Sequence, residues 1–309
     1  MRWLFISIAA ALVVAAGATA QSATVPGSNG KLLFQHGSAG NPFGPTTQIW
    51  TVAASGKHLT RLTTGKTYNG NAAWSPNSKK IAFESTRGGD IDIWVMDANG
   101  KHAHAVTFSQ GYDGNPAWSP DGTKIVFETD RLGTGNRDLY VMNANGSSQH
   151  ALVTGPGDQV APSWSPDGTQ IIYADGSLTG SATPASSIWS VNPDGTGKQQ
   201  LTTASGVSND PVWSPDGSKV AFESNRNEDF DVYVMNADGS NVRNLTNHPA
   251  LDASPAWSPD GSRIAFLSER SAKGHREIYV MNANGGHVVR VTHTARAYWN
   301  TQPDWQSLP

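Results

Sequence analysis

Cysteine is absent from the 309-residue chain, and charged residues make up only 15% of it. Without cysteine there can be no disulfide framework, no zinc–thiolate site and no thiol nucleophile. The 22 Lys and Arg residues are nearly balanced by 25 Asp and Glu residues, which argues against the clustered basic surface that nucleic-acid binding needs. Neither net charge nor low complexity indicates disorder. We therefore expect a folded protein with no nucleic-acid partner.

Long hydrophobic runs are also lacking beyond residue 16. At the start of the chain, Met1–Arg2 is followed by the apolar run Trp3–Ala16 and by the small-residue motif Ala18–Ala20. This order is typical of a cleaved secretory signal, and the run is too short to span a bilayer comfortably. We expect residues 1–20 to be removed and residues 21–30 to form a flexible lead-in. The mature chain should be soluble, periplasmic or secreted, with no lipid or membrane anchor.

Glycine and proline are abundant instead, with 32 and 18 residues, which favours an all-β chain with many turns. Six tryptophans recur in one sequence context, and five of them are followed by Ser-Pro. Their spacing of 44 to 49 residues is the period of a β-propeller blade. The six residues are Trp74, Trp118, Trp164, Trp213, Trp257 and Trp305. We interpret them as packing residues between blades, without a functional role.

Each repeat is predicted to form four short strands. In one repeat, Asn115–Trp118 ends the first strand, and the Ser-Pro-Asp-Gly that follows has the residues of a tight turn. Lys124–Glu128 and Asp138–Met142 are the second and third strands, and Asn145–Gly146 is a strong hairpin signal. The fourth strand ends in Leu-Thr or Val-Thr in every repeat.

The two ends of the repeat region complement each other. Residues 31–64 supply the second, third and fourth strands of a blade, whereas Gln302–Trp305 supplies a first strand with nothing after it. Joining them completes a six-bladed β-propeller over residues 31–309, with four antiparallel strands per blade. Closure of the ring removes free sheet edges that would otherwise promote association. We therefore expect a monomer.

The repeat resembles that of the TolB-type, WD40-like six-bladed propeller. The matching motifs are P-x-W-S-P-D-G at Pro211–Gly217, I-A-F-E-S-x-R at Val220–Arg226 and D-I-Y-V-M-N-A-D-G at Asp231–Gly239. The resemblance implies a periplasmic propeller that binds a protein of the cell envelope, which in the TolB family is a peptidoglycan-associated lipoprotein. TolB itself carries an α/β domain before the propeller, and here only about ten residues separate the predicted signal from the first blade. We expect a binding propeller without that domain.

The two faces of such a ring differ in their connections. The second-to-third and fourth-to-first loops lie on one face, the loop face, and the Ser-Pro-Asp-Gly and Asn-Gly turns lie on the other, the turn face. Loops on the loop face vary in length and chemistry, so we expect the ligand there, around the central channel. The fourth-to-first loops contribute Tyr68, Asn69, Tyr112, Asp113, Asp158, Gln159, Asn209, Asp210, Asp252, Tyr298, Trp299 and Asn300.

Aromatic, Asn and Asp side chains suit a protein or glycan ligand. For the Asp and Asn residues, capping of turns is an equally good explanation. For Tyr68, Tyr112 and Trp299 the functional interpretation is favoured. The predicted ligand-binding set is Tyr68, Asn69, Tyr112, Asp113, Asp158, Asn209, Asp210, Asp252, Tyr298, Trp299 and Asn300.

Four of the second-to-third loops carry an arginine, and the same four blades have an acid at the start of the third strand. The two blades without the arginine have Gln48 and Ser187 there. Joint presence and joint absence predict ion pairs within a blade rather than an anion-binding site. The residues are Arg87, Arg131, Arg226 and Arg270, with Asp92, Asp138, Asp231 and Glu277.

An enzymatic alternative rests on loop histidines. His36, His248, His275 and His293 fall in loops of the loop face, and neutral histidine can bind a metal or act as a general base. Such a site would suit a metal-assisted polysaccharide lyase or glycan hydrolase. The sequence has no H-x-x-H, H-E-x-x-H or G-x-S-x-G motif. We therefore favour a non-catalytic binding role without a cofactor.

Overall fold

The computed structural model describes residues 23–38, 44, 46–177, 185–203, 206–295 and 297–308, so the predicted signal at residues 1–20 lies outside the described chain. Within these ranges the protein consists of 24 strands in six four-stranded antiparallel sheets arranged as a ring. The prediction of an all-β six-bladed propeller is confirmed. No helix in the described residues is long and apolar enough to cross a membrane.

Each sheet is one blade, and its strands are named in order from the innermost to the outermost. Blade 1 contains β24 (Tyr298–Leu308), β1 (Ser28–Ser38), β2 (Gln48–Ala53) and β3 (Thr60–Arg61). Blade 2 contains β4 (Asn69–Trp74), β5 (Lys80–Ser85), β6 (Asp92–Asp97) and β7 (His104–Ala105). Blade 3 contains β8 (Asp113–Trp118), β9 (Lys124–Thr129), β10 (Asp138–Asn143) and β11 (His150–Val153).

The other three blades repeat this order. Blade 4 contains β12 (Asp158–Trp164), β13 (Ile171–Ser177), β14 (Ala185–Val191) and β15 (Gln199–Gln200). Blade 5 contains β16 (Ser208–Trp213), β17 (Lys219–Asn227), β18 (Asp229–Asn236) and β19 (Arg243–Asn244). Blade 6 contains β20 (Asp252–Trp257), β21 (Arg263–Ser268), β22 (Glu277–Asn282) and β23 (Val289–Arg290).

The ring closes between the two ends of the chain. Strand β1 pairs with β24 from Ser28 opposite Leu308 to Ser38 opposite Tyr298, which confirms the predicted closure. The pairing begins at Ser28 rather than at residue 31, because the C-terminal strand is long enough to pair with part of the predicted lead-in.

The Ser-Pro-Asp-Gly turns are stabilised by their own side chains. In blade 3 the Ser119 hydroxyl donates to Asp121 Oδ1 over 2.6 Å, and the same Asp oxygen accepts the Thr123 backbone N–H over 3.0 Å. Gly122 has a φ of 70°, which glycine adopts without steric cost. The turn residues predicted from sequence therefore play the local roles expected of them.

The apolar core is divided into clusters that each join two neighbouring blades. Trp164 of blade 4, for example, is 3% exposed and packs with Ala117, Val126 and Leu139 of blade 3. The other recurrent tryptophans are buried in the same way. Their interpretation as interblade packing residues is confirmed.

A β-bulge interrupts every innermost strand three residues before its tryptophan. The pairing register shifts there, and the bulged residue has a positive φ. A bulge takes one residue out of the hydrogen-bonding ladder, so its N–H needs another acceptor. The bulged residues are Asn71, Asn115, Ala161, Asp210, Ser254 and Gln302.

Residues 23–27, which we name the strap, lie across the turn face. The Ala23 N–H donates to the Trp118 carbonyl of blade 3 over 3.1 Å, and the Gly27 N–H donates to the Pro259 carbonyl of blade 6 over 3.3 Å. Blades 3 and 6 are opposite each other in a ring of six, so the strap crosses the turn-face end of the ring. Ala23 is only 5% exposed.

Candidate functional site

The predicted ligand-binding set lies where the innermost strands begin, at the loop-face end of the channel. Tyr112 is half-buried and Tyr298 is 44% exposed. The other members are buried: Tyr68, Asn69, Asp113, Asp158, Asn209, Asp210, Asp252, Trp299 and Asn300. Most of the set therefore shapes the channel mouth from inside the protein, and Tyr298 is its most exposed member.

Tyr68 and Tyr112 converge on one buried carboxylate. The Tyr68 hydroxyl donates to Glu84 Oε1 over 2.5 Å, and the Tyr112 hydroxyl donates to Glu84 Oε2 over 3.1 Å. Asn71 Nδ2 also donates to Oε1, over 2.7 Å. Burial raises the pKa of both tyrosines well above the usual value, and the negative charge of Glu84 raises it further. The two phenols are therefore hydrogen-bond donors at neutral pH.

Glu84 belongs to a group of polar side chains that link neighbouring blades. In four blades the residue after the aromatic of the second strand is Gln or Glu, and its side chain accepts the N–H of the bulged residue in the next blade. The pairs are Gln35 with Asn71, Glu84 with Asn115, Glu128 with Ala161, and Glu223 with Ser254, at 2.7 to 3.3 Å. These contacts satisfy the N–H groups that the bulges release.

Arg137 connects this group to the surface in blade 3. Its Nη1 donates to Glu128 Oε2 over 3.0 Å, and its guanidinium carbon lies 4.4 Å from the centre of the Tyr112 ring. Glu128 is fully buried, and burial raises its pKa to about 7 against the opposing effect of Arg137. The Arg137 side chain keeps 42% of its surface exposed. A cation is thus held at the loop face by buried groups.

Another polar group lies where blades 6 and 1 meet. Asn300 Nδ2 donates to Glu277 Oε2 over 2.7 Å, and Asn300 Oδ1 is 2.8 Å from His36 Nδ1. The His36 ring stacks on exposed Tyr298 with centroids 5.2 Å apart. Trp299 is turned inward, and its Nε1 donates to the Ser38 carbonyl over 2.7 Å.

The predicted partners of the loop arginines are wrong. Arg131 pairs over 2.9 Å with Asp113, and Arg270 pairs with Asp252; both acids are buried and belong to the first strand. Arg226 donates instead to the Ser208 hydroxyl, over 3.1 Å. Each of the four arginines also lies over the aromatic rings of the second and third strands.

The acids that open the third strand have other partners. In blades 2, 5 and 6 the fourth strand ends two residues before the threonine that was predicted to end it. Asp92, Asp231 and Glu277 each accept the hydroxyl of this threonine. The arginine and the acid therefore occur in the same blades for two separate reasons. The arginine packs over the aromatic rings of the second and third strands, and the acid holds the segment after the fourth strand through its threonine.

Two large apolar side chains are exposed in loops of the loop face, and one of these loops also carries Arg137. Phe108 is 82% exposed in the loop before β8, and Leu132 is 50% exposed in the loop between β9 and β10. The two loops are tied together, because the Tyr112 N–H donates to Asp130 Oδ1 over 2.8 Å. Phe108, Leu132 and Arg137 form what we name the blade 3 patch.

The chain matches a known protein family. A family model described as the TolB beta propeller domain matches residues 44–214 and 182–308. The chain belongs to the TolB β-propeller domain family. A comparison with curated protein sequences finds no match.

Solved structures of TolB proteins share this propeller. TolB from Acinetobacter baumannii is 21% identical, with 91% of this chain and 68% of that chain covered and a TM-score of 0.75. A putative TolB from Agrobacterium tumefaciens is 17% identical, with 90% and 99% covered and a TM-score of 0.69. An oligogalacturonate lyase from Vibrio parahaemolyticus is also 17% identical, with 86% and 74% covered and a TM-score of 0.55. At these identities the similarity shows the fold.

Two of the four predicted histidines of this TolB-family propeller, His36 and His275, meet one polar network through Asn300 and Glu277, and His36 lies in β1 rather than in a loop. His36 contacts Asn300, the His248 Nδ1 accepts the Ala250 N–H over 3.0 Å, and His275 Nε2 lies 3.5 Å from Glu277 Oε1. His293 is exposed. Across the described part of the chain, no three His, Asp or Glu side chains are grouped in a way that could hold a metal.

The turn face carries a cavity of about 570 Å³ beside the strap. Pro26, Gly27 and the turns of blades 5 and 6 line it. Two of its acids, Asp216 and Asp260, accept hydrogen bonds from the serines of their own turns. Its polar groups therefore largely serve the turns, in contrast to the partly exposed Arg137.

Sequence reasoning missed the blade 3 patch of the TolB-type propeller. A signal was present at Phe108, because the residues that follow the fourth-strand threonine in the other blades are polar or glycine. Those residues are Thr64, Gly155, Thr203, Asn247 and His293. An apolar residue that occurs in only one of the six repeats is informative, because the other five blades form without an apolar residue at that position.

Proposed function

We propose that this TolB-family propeller is an exported, non-catalytic binding protein whose protein partner docks on the loop face. The observation that carries the proposal is the exposure of Phe108, 82% of whose surface is accessible. Covering a phenylalanine of this exposure contributes on the order of 1.5–3 kcal/mol. Exposed apolar patches with a polar rim are typical of interaction surfaces.

The rigidity of the surrounding loops supports this role. Asp130 holds the loop that carries Phe108 through the Tyr112 N–H, and the Arg131 guanidinium is bound to buried Asp113. Loops fixed in this way lose little conformational entropy when a partner binds. The binding surface would be largely formed before the partner arrives.

The family suggests the first partner to test. Because the chain belongs to the TolB propeller family, we propose a protein of the cell envelope, with a peptidoglycan-associated lipoprotein as the leading candidate. This role requires export, which residues 1–20 would direct as a cleaved signal. We further propose that the mature protein acts in the periplasm.

Capture from detergent-solubilised cell envelope tests the proposal. The immobilised wild-type protein is compared with the Phe108→Ser/Leu132→Ser variant of the loop face. The matched control is Leu59→Ser/Val289→Ser, since these residues are 54% and 46% exposed away from the loop face. We expect the loop-face variant to lose at least tenfold of the specifically captured protein and the control to retain it. Equal capture by all three proteins would refute the loop face as the docking surface.

A further inference from the structure

Arg137 differs from the other loop arginines in how it is used. Arg131 and Arg270 pair with fully buried acids of the first strand, and their side chains are only 21% and 16% exposed. Arg137 also pairs with a fully buried acid, Glu128, yet its side chain remains 42% exposed. In the described part of the chain, Glu128 is the acceptor for its guanidinium. Within the described residues, no hydrogen bond engages the Nε–H or the second NH₂ group, so both remain donors.

Three contacts fix the position of this guanidinium. Its Nη1 is bound to Glu128, its carbon lies 4.4 Å from the centre of the Tyr112 ring, and the backbone N–H of Arg137 donates to Asp158 Oδ1 over 2.8 Å. An arginine that is already ordered loses less rotamer entropy on binding than a free surface side chain does. The contact with the Tyr112 ring is a cation–π interaction that further holds the guanidinium in place.

The supporting groups are themselves anchored. Glu128 Oε1 accepts Asn115 Nδ2 and the Ala161 N–H, each over 2.7 Å. Tyr112 is held by its hydroxyl bond to Glu84. These contacts tie the arginine to the innermost strands of blades 3 and 4. The guanidinium therefore belongs to a built site, unlike a mobile charge at a loop tip.

The chemistry of the neighbours limits what can bind. Arginine recognises planar oxygen acceptors, and a carboxylate matches two of its donors at once. Phe108 and Leu132, in the two adjoining loops, are exposed apolar side chains. A ligand that uses both features carries a carboxylate next to an apolar group, as an acidic side chain beside an aromatic or aliphatic residue does in a protein segment.

We propose that Arg137 is the specificity anchor of the loop face and that it binds an Asp or Glu side chain of the protein partner. An adjacent apolar residue of the partner packs on Phe108 and Leu132. This inference rests on the proposed binding function and specifies the partner by its chemistry. The acidic residue lies within a chain segment, so a free C-terminal carboxylate is not required.

Selection of peptides tests the preference without knowledge of the partner. A library of random 12-residue peptides, displayed with their C-termini fused to a coat protein, is selected on the wild-type propeller. We expect the enriched peptides to carry Asp or Glu next to an aromatic or aliphatic residue. A selection that yields no such enrichment overturns the proposal.

Variants of the peptide and of the protein then test whether the carboxylate of the peptide binds Arg137. The leading peptide is synthesised with an amidated C-terminus, together with its Glu→Gln or Asp→Asn form. The protein variant is Arg137→Gln/Glu128→Gln, because the second change avoids leaving a buried, unpaired carboxylate. The control is Arg243→Gln, which removes an exposed arginine from the outer strand β19.

In a double-mutant cycle, we expect the effects of the peptide change and of the Arg137 variant on binding to be coupled. The peptide change and the Arg137 variant should each weaken binding at least tenfold, and together they should weaken it little further. The control should bind like wild type, and thermal melts should show that all variants are folded. Equal binding by the Arg137 variant contradicts the inference. If the Arg137 variant binds the peptide like wild type but Phe108→Ser abolishes peptide binding, the proposed loop-face function stands and only the role of Arg137 is refuted.

Discussion

The Trp74 backbone N–H donates to the Asp304 carboxylate over 2.7 Å, across 230 residues of sequence. Trp74 ends the innermost strand of blade 2, and Asp304 lies in β24, the strand that closes blade 1. The contact therefore joins the closing strand to the next blade. The other blades have an apolar residue or Ser163 at the position of Asp304, so this acceptor is specific to the point of closure.

Loss of this acceptor should weaken the closed ring. We expect Asp304→Ala to lower the free energy of unfolding by about 1–3 kcal/mol, because the buried Trp74 N–H loses its partner. Burial raises the pKa of Asp304 to about 7, so Asp304→Asn, which keeps an uncharged oxygen acceptor, should lose less. Urea unfolding at pH 7 measures both. Equal losses in the two variants would show that the acceptor is unimportant.

Glu223 should make stability depend on pH. Burial raises its folded pKa to about 7, above the ordinary value of 4.5. The folded state therefore binds more protons than the unfolded state between these values, and stability falls as pH rises through that window. The contribution is present in full below about pH 4.5 and is on the order of 1–3 kcal/mol.

Glu223→Gln should remove this part of the pH dependence. Glutamine keeps an acceptor for the Ser254 N–H, as Gln35 does for Asn71 in blade 1. Unfolding free energies of wild type and variant, measured from pH 4.5 to 8, check the expectation. Parallel pH profiles for the two proteins would contradict the elevated pKa.

The fold was predictable because its signals repeat. Turn residues and buried tryptophans recur in each blade, so one unusual blade cannot mislead the interpretation. The partners of Arg131 and Arg270 were not predictable, because acids at two positions of the blade lie at compatible sequence distances. In the folded blade the first-strand acids lie opposite Thr129 and Ser268, which Arg131 and Arg270 also contact, and this pairing between strands leaves no clear pattern in the sequence.

The burial of Tyr68 and Tyr112 was missed for a different reason. Each tyrosine lies two residues before a glycine, Gly70 or Gly114, and the phenol occupies the space where a Cβ would be. The sequence shows the glycines but does not show which side chain fills the space. Aromatic residues in loops next to the channel were therefore interpreted as exposed ligand contacts, although they fold back onto Glu84.

Gly114 should not tolerate a side chain. Gly114→Ala would place a Cβ against the Tyr112 hydroxyl and the Glu84 carboxylate, and we expect a loss of about 1–3 kcal/mol from overpacking. At the equivalent position of blade 6, Ala253 already carries a Cβ, and Ala253→Gly should cost only about 0.5–1 kcal/mol. Chemical denaturation compares the two. A stabilising effect of Gly114→Ala would contradict the packing described.

The strap should stabilise the ring although it lies outside the blades. Deleting the strap, residues 23–27, removes the buried Ala23 and its hydrogen bond to Trp118, together with the Gly27 bond to Pro259. We expect a loss of about 1–3 kcal/mol. Ala23→Asp should have a comparable effect, because it buries a charge. Unchanged melting temperatures in both proteins would show that the strap merely rests on the surface.

Photo-crosslinking in the native envelope tests the central claim, that the loop face is the docking surface. The photoreactive residue p-benzoylphenylalanine replaces Phe108 or Leu132 on the loop face, or Leu59 or Val289 as matched exposed positions elsewhere. We predict a covalent adduct with one partner protein from positions 108 and 132 and none from positions 59 and 289. Adducts from 59 or 289 alone, or no adduct from either loop-face position, would contradict the claim.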